Sequence, residues 1–186
     1  FTFTTNFYLA LKPFQNQHYI MDVQIRACQL SDLDAVLEIT NYAILKTTAI
    51  YDDDARTLAE LKNWFLEKQE KNFPVVVAVL DEVVIGYGTF GAFRQKYGSR
   101  FTVEHSVYVN VDNNGKGVGS MLLTELIKQA KSQNMRTMIA AIDASNEASI
   151  AFHRKFGFIE IGVCHEAGYK FNQWLDLLLM ELMLEN

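Results

Sequence analysis

The chain is poor in cysteine, in basic charge and in long apolar runs, and each shortage removes a class of function. Its two cysteines, Cys28 and Cys164, form no CxxC pair and keep no metal-ligand spacing to the four histidines. No metal centre and no disulfide framework is therefore expected, and both thiols read as buried or idle groups in a reducing, cytoplasmic setting. Lys and Arg number 17 against 22 Asp and Glu, a net charge of −5 with no dense basic stripe, so nucleic acid is not the expected partner. No apolar run reaches the roughly 20 residues of a membrane span. No repeat, linker or low-complexity stretch divides the 186 residues, and one domain with one continuous core is expected.

The first twenty residues stand apart. They lack an initiating Met, are rich in Phe and Tyr, and have no basic stretch ahead of their apolar part, so they read poorly as a signal peptide. Met21-Asp22 directly precedes the strand-like Val23-Gln24-Ile25-Arg26. Met21 is accordingly read as the natural start of a domain spanning 21–186, and 1–20 as an extension upstream of it. The rival is a genuine extension that packs on the domain or on a partner subunit.

What is present is an alternation of strand and helix signals. Val23–Ala27 reads as a short strand, followed by a helix capped at Ser31 and running to about Lys46. Thr57-Leu58-Ala59-Glu60 is a capping box for a second helix, which Pro74 ends. Val75–Leu80 and Val83–Phe90 form a hairpin at Asp81-Glu82, and Phe101–Val111 is a long strand. A helix from Val118 carries Leu122, Leu126 and Ala130 on one stripe. A strand at Met135–Ile142, a helix at Asn146–Lys155 and strands at Phe158–Gly162 and Trp174–Leu184 complete the chain. The order β-α-α-β-β-β-α-β-α-β-β predicts an α/β fold with a mixed sheet.

The strongest chemical signal lies between Val107 and Ser120. A strand enters a loop holding Gly115, Gly117 and Gly119, and a helix starts at once. Glycines let backbone N–H groups converge on an anion, and a helix N-terminus adds unpaired donors and a favourable dipole. That arrangement suits a pyrophosphate. The loop is neither a Walker A loop nor a GxGxxG turn, and it sits mid-chain, away from the first strand where a dinucleotide fold carries its loop.

Asn114-Gly115-Lys116-Gly117-Val118-Gly119 resembles the [QR]xxGx[GA] signature of the GNAT superfamily of acyl-CoA-dependent acetyltransferases, with Asn in place of Gln or Arg. Asn146-x-x-Ser149-x-x-x-His153-x-x-x-Gly157-Phe158 resembles that superfamily's second motif. Thr102–Val109 (TVEHSVYV) and Lys170-Phe171-x-x-Trp174-Leu175-Asp176 are similar to the branch that acetylates phosphinothricin, methionine sulfoximine and methionine sulfone. The resemblance covers about residues 23–184. It implies a mixed, mostly antiparallel sheet flanked by about four helices. It also implies acetyl-CoA as co-substrate without a metal, a small-molecule amine as acceptor, and direct attack in a ternary complex. The chain has no Ser/His/Asp or Cys/His set that argues for a covalent intermediate.

Roles follow residue by residue. Strand alternation puts Glu104, Ser106 and Tyr108 on one face and Val103, His105, Val107 and Val109 on the apolar other. Glu104 is the candidate base, and a solvated strand glutamate is its bland alternative. The resemblance gives His153 a place beside the CoA sulfur, as donor to the leaving thiolate, against a plain helical histidine. Asn146 caps its helix and, by resemblance, holds pantetheine. Ser149 and the backbone of Val107, Tyr108 and Val109 join it, with Asn114, Gly115, Lys116, Gly117, Val118, Gly119 and Ser120 around the phosphates. A free amino acid brings a carboxylate, which Arg reads bidentately, and the resemblance puts Arg94, Gln95 and Lys96, in the one concentrated basic segment, with Glu104, His105 and Ser106 at the acceptor, where Tyr51 is expected as an aromatic wall. His105 has the alternative of a satisfied core histidine, and the basic loop that of a solvated hairpin. A polyamine, aminoglycoside or protein N-terminus as acceptor, or a non-catalytic acyl-CoA-binding module, remain alternatives. The apolar closing strand with Trp174 points to a homodimer.

Overall fold

Valine-rich alternation builds the sheet outward from a central hairpin. In the computed structural model, which describes residues 22–185, β2 (Val75–Leu80) and β3 (Val83–Ala92) pair antiparallel. Their two-residue turn has Asp81 at φ 47° and Glu82 at φ 65°, the left-handed pair that matches the strand twist. β1 (Gln24–Ala27) adds to β2, and β4 (Thr102–Val109) to β3. β5 (Thr137–Asp143), β6 (Ile159–Lys170) and β7 (Gln173–Met183) complete a seven-stranded sheet in the order β1-β2-β3-β4-β5-β7-β6. Among the described strands only the β4–β5 pair is parallel. The helices are α1 (Leu33–Lys46), α2 (Leu58–Glu70), α3 (Val118–Ser132) and α4 (Glu147–Lys155). The expected element order and the mixed, mostly antiparallel sheet are both present. The extension 1–20 and Met21 lie outside the described residues.

The sheet is covered on both faces. Leu122, Leu123 and Leu126 of α3 are fully buried against Val76, Phe90, Met138 and Met180, each leucine stabilising the fold by roughly 2–3 kcal/mol. On the other side Val36 of α1 and Leu61 and Phe65 of α2 pack on Val75, Val77 and Tyr87. α3 lies close to β3 because β3 presents bare backbone there. A Cβ at Gly86 would stand 3.0 Å from the Tyr108 carbonyl, and one at Gly88 3.0 Å from Leu126 Cδ1. That close seat places the start of α3 just beyond the end of β4. No helix among the described residues is long and apolar enough to cross a membrane.

Several boundaries differ from the sequence reading, three of them for a clear local reason. Ser31 does not cap α1: a 3-10 turn at Leu30–Asp32 precedes it. Asp32 closes that turn, accepting from the Gln29 N–H at 2.7 Å and from both Arg26 guanidinium nitrogens at 2.6 and 2.8 Å. The Arg26 hydrogen bonds hold the Asp32 carboxyl below its usual range. α2 ends at Glu70, before Pro74, with Asn72 at φ 55° turning the chain. β6 runs on past Gly162 to Lys170 with nearly every residue exposed, so no alternation marks its length, and two register shifts against β7 break its pattern.

Candidate active site

The site opens where two strands part. β4 and β5 pair only at Thr102↔Thr137, Val103↔Met138 and Glu104↔Ile139. Beyond that point β4 stays on β3 as far as Val109, and β5 stays on β7 as far as Asp143, so a wedge opens between them. The wedge is a groove of about 650 Å³. One wall is His105–Val109, the other Ala140–Asp143, and the floor and rim come from the glycine loop and α4.

The glycine loop supplies donors. Gly115 has φ 74° and Gly117 φ 86°, and Gly117 is the N-cap of α3. The flanking amides are used by the protein: Asn114 N–H donates to Val111 O at 3.3 Å and Met121 N–H to Gly117 O at 3.1 Å. Between them, the backbone N–H groups of Gly115, Lys116, Gly117, Val118, Gly119 and Ser120 have no acceptor among the described residues. A run of free amides at the positive end of a helix is suited to an anion such as a diphosphate. Asn114, Gly115, Gly117, Val118, Gly119 and Ser120 line the groove, whereas the Lys116 side chain turns to Asn113 Oδ1 at 3.3 Å.

α4 brings the second motif to the same groove. Asn146 Oδ1 accepts from the Ser149 N–H at 3.0 Å, the expected cap, and its side-chain N–H groups have no partner among the described residues. His153 is buried, with Nδ1 at 2.7 Å from the Ser149 carbonyl. A carbonyl only accepts, so the proton sits on Nδ1 and neutral His153 keeps its lone pair on Nε2. Burial lowers its pKa, against the opposing pull of that hydrogen bond, and favours the neutral ring. His105 stacks on it at 5.1 Å between ring centroids. His105 lies on the apolar face, as the alternation implies, but it is not a satisfied core histidine. Neither nitrogen has a partner among the described residues, and burial takes its pKa down to about 3, with His153 adding to the effect.

The opposite face of β4 carries the carboxylate. Glu104 is half-buried at the last β4–β5 pair, where the strands part. Burial raises its pKa and Lys68 pulls it back. Tyr108, on the same face, is likewise pushed up by burial. Arg94, Gln95 and Lys96 are exposed and stand outside the groove. Tyr51 also stands outside it. Its ring lies against Gly168 of β6, its hydroxyl reaches Asp176 O at 3.4 Å, and it borders a shallower depression with Asp52–Arg56, Glu60 and Trp64. From that loop it is Ala49 that lines the groove.

Several residues here escape sequence reasoning. Phe152, Ala140, Ala141 and Ile142 line the groove as apolar side chains with no chemical signature, and Asp143 ends that wall with its carboxylate accepting from the Ser145 N–H at 2.9 Å and the Ser145 hydroxyl at 2.8 Å. Lys170 is 2% exposed, and its ammonium donates to the carbonyls of Ile44 and Ile50 at 2.5 Å each, pinning the end of α1 and the loop after it to β6. Its motif was visible in the sequence, but its clamp role was not. Lys68 had no signal at all.

The comparisons with known proteins agree with this geometry. A family model described as "Acetyltransferase (GNAT) domain" matches residues 25–179. An L-methionine sulfoximine/L-methionine sulfone acetyltransferase of Pseudomonas aeruginosa is 42% identical over 166 residues, 89% of this chain and 96% of the relative. A phosphinothricin N-acetyltransferase of Alcaligenes faecalis is 32% identical over 158 residues, 84% of this chain and 80% of its own. The crystal structure of a phosphinothricin acetyltransferase from Sinorhizobium meliloti in complex with AcCoA superposes with a TM-score of 0.85 at 34% identity, covering 88% of this chain and 89% of that one. The chain belongs to the GNAT family of acetyltransferases and is an acetyl-CoA-dependent N-acetyltransferase. The residues present fit that co-substrate: free amides for the diphosphate, the unpaired β4 edge and Asn146 for the pantetheine arm.

Proposed function

We propose that the protein moves the acetyl group of acetyl-CoA onto the amine of a small amino-acid analogue of the phosphinothricin, methionine sulfoximine or methionine sulfone type. The observation that carries the transfer itself is the run of unclaimed amides from Gly115 to Ser120 beside the parted strands. The acceptor class is supported by the activities named for the relatives and by the chemistry on the acceptor side of β4.

In this reading Glu104 takes a proton from the acceptor ammonium, and the freed amine adds to the thioester carbonyl. Backbone N–H groups on the unpaired edge of β4, between His105 and Val109, stabilise the developing oxyanion. Neutral His153 takes the second amine proton on Nε2 and returns it to sulfur as the C–S bond breaks. The amide and the CoA thiol then form, and the ammonium proton left on Glu104 passes to solvent, which readies the carboxylate for the next turnover. His105 and Ser106 flank this centre, and the exposed Arg94–Lys96 loop draws the acceptor's carboxylate towards it.

The test is acetyl-CoA-dependent thiol release with methionine sulfoximine, methionine sulfone, phosphinothricin, spermidine and an N-terminal peptide. Turnover at least tenfold faster with the amino-acid analogues is expected. Spermidine or the peptide as the better acceptor would overturn the assignment.

We read the assembly as a homodimer built on the β6–β7 hairpin. Ile159, Ile161 and Val163 on the edge strand and Tyr169, Phe171 and Trp174 at its tip are all exposed, Trp174 to 61%. Light scattering is expected to give twice the chain mass, and a monomer at micromolar concentration would sink this reading. Two free thiols suit a cytoplasmic location, which cell fractionation tests directly.

A further inference from the structure

Lys68 is a cation without a task in the reaction described. It sits on α2 and is half-buried. Its ammonium donates to the Phe90 carbonyl at 2.9 Å and passes the rings of Trp64 and Phe73 at 5.8 and 5.7 Å. A Cβ at Gly91 would stand 2.8 Å from Nζ, so the ammonium rests directly over that glycine. Gly91 is the register partner of Glu104 between β3 and β4. Directly opposed residues of an antiparallel pair share a face, which puts Lys68 on the same patch of sheet as the Glu104 carboxyl.

The cation is only partly satisfied. Among the described residues no carboxylate comes within 4.0 Å of it, and Glu67, its neighbour on α2, lies instead 3.8 Å from Lys71. An ammonium has three donors, and one is used. Burial brings its pKa down to about 8, with Lys71 adding to the fall and Glu104 opposing it. Such a group is costly to keep among aromatic rings without an anion. Lys68 and Glu104 are also not in ion-pair contact, so each is open to a third group.

We infer that Lys68 is the specificity-determining cation of the acceptor site, holding the α-carboxylate of the acceptor while Glu104 faces its amine. In an α-amino acid those two charges hang from one carbon, so adjacent receptors of opposite sign are complementary to the zwitterion. The inference rests on the amino-acid reading of the acceptor. It gives Lys68, not the exposed Arg94, the carboxylate contact itself, because a solvated cation on a loop is screened and contributes little.

The experiment compares L-methionine sulfone with its carboxamide, which keeps the amine and side chain but lacks the negative charge. It uses the wild type, Lys68→Met, Lys68→Arg and Arg94→Ala. Lys68→Met is expected to raise KM for the acid by about 10- to 100-fold, the range for losing a charge-assisted hydrogen bond. KM for the carboxamide and for acetyl-CoA should move less than about threefold, and Lys68→Arg should recover most of the loss. Equal losses with both acceptors would mean that Lys68 acts on Glu104 or on the fold, and would overturn the proposal. So would a selective effect carried by Arg94→Ala instead. A wild type that acetylates the sulfone but fails to distinguish it from the carboxamide removes Lys68 alone. A wild type inactive on both removes the amino-acid reading beneath it.

Discussion

Replacing Glu104 with Gln is expected to lower kcat by about 10²- to 10⁴-fold, the usual contribution of a positioned proton acceptor. The substitution preserves shape and removes only the ability to take the amine proton, so the Kd for acetyl-CoA should stay within about twofold. The role proposed for Glu104 rests on its position, at the last rung before β4 and β5 separate and on the face opposite His105. Burial raises its pKa and the Lys68 charge opposes the rise. The sign of the pH dependence follows. A base works only when deprotonated, so activity falls as pH drops through its pKa, and that limb should lie above the ordinary glutamate value near 4.3. Removing the Lys68 charge should move the limb further up. Wild-type turnover by the Gln variant in a thiol-release assay would remove Glu104 as the base.

Gly117→Val should weaken acetyl-CoA binding by about 100-fold, read by calorimetry, while kcat at saturating acetyl-CoA stays near the wild-type value. Gly117 caps α3 at φ 86°, ψ −4°, a conformation that costs an L-residue roughly 1–2 kcal/mol and a β-branched one more. Relieving that strain turns the neighbouring peptide planes and withdraws amides from the cradle. Charge-assisted bonds of this kind contribute about 1.5–3 kcal/mol each, and 1.4 kcal/mol is tenfold in affinity. Beyond its chain neighbours, nothing among the described residues lies within 4 Å of a Cβ at this position, so the loss should come from backbone conformation and not from a clash. Unchanged affinity would mean that these amides do not bind the diphosphate.

Much of the architecture was readable because local physics and global fold agree. The Thr57 capping box forms as written, with Thr57 accepting from the Glu60 N–H at 3.3 Å and Glu60 accepting in return from the Thr57 N–H at 2.8 Å. Leu122, Leu126 and Ala130 of α3 are all fully buried, as their helical spacing requires. Where local signals were weak, boundaries moved. β6 is exposed along almost its whole length and so carries no period for a reader to follow. Tyr51, expected at the acceptor, lies against Gly168 and outside the groove, where the Lys170 clamp, a contact 120 residues away in sequence, sets the path of its loop.

The sequence by itself determined the element order, the glycine loop that leaves six amides free, and the two faces of β4 with Glu104 on one and His105 on the other. These depend on neighbours within a few residues: a left-handed glycine, a helix start, a strand's alternation. Only the tertiary structure decided where β4 and β5 separate, that His105 stacks on His153, and which cation stands beside Glu104. Each of these depends on atoms that meet across the sheet or between turns of different elements. Lys68 comes to rest over Gly91 because helix packing brings it there, and no spacing along the chain announces such a meeting.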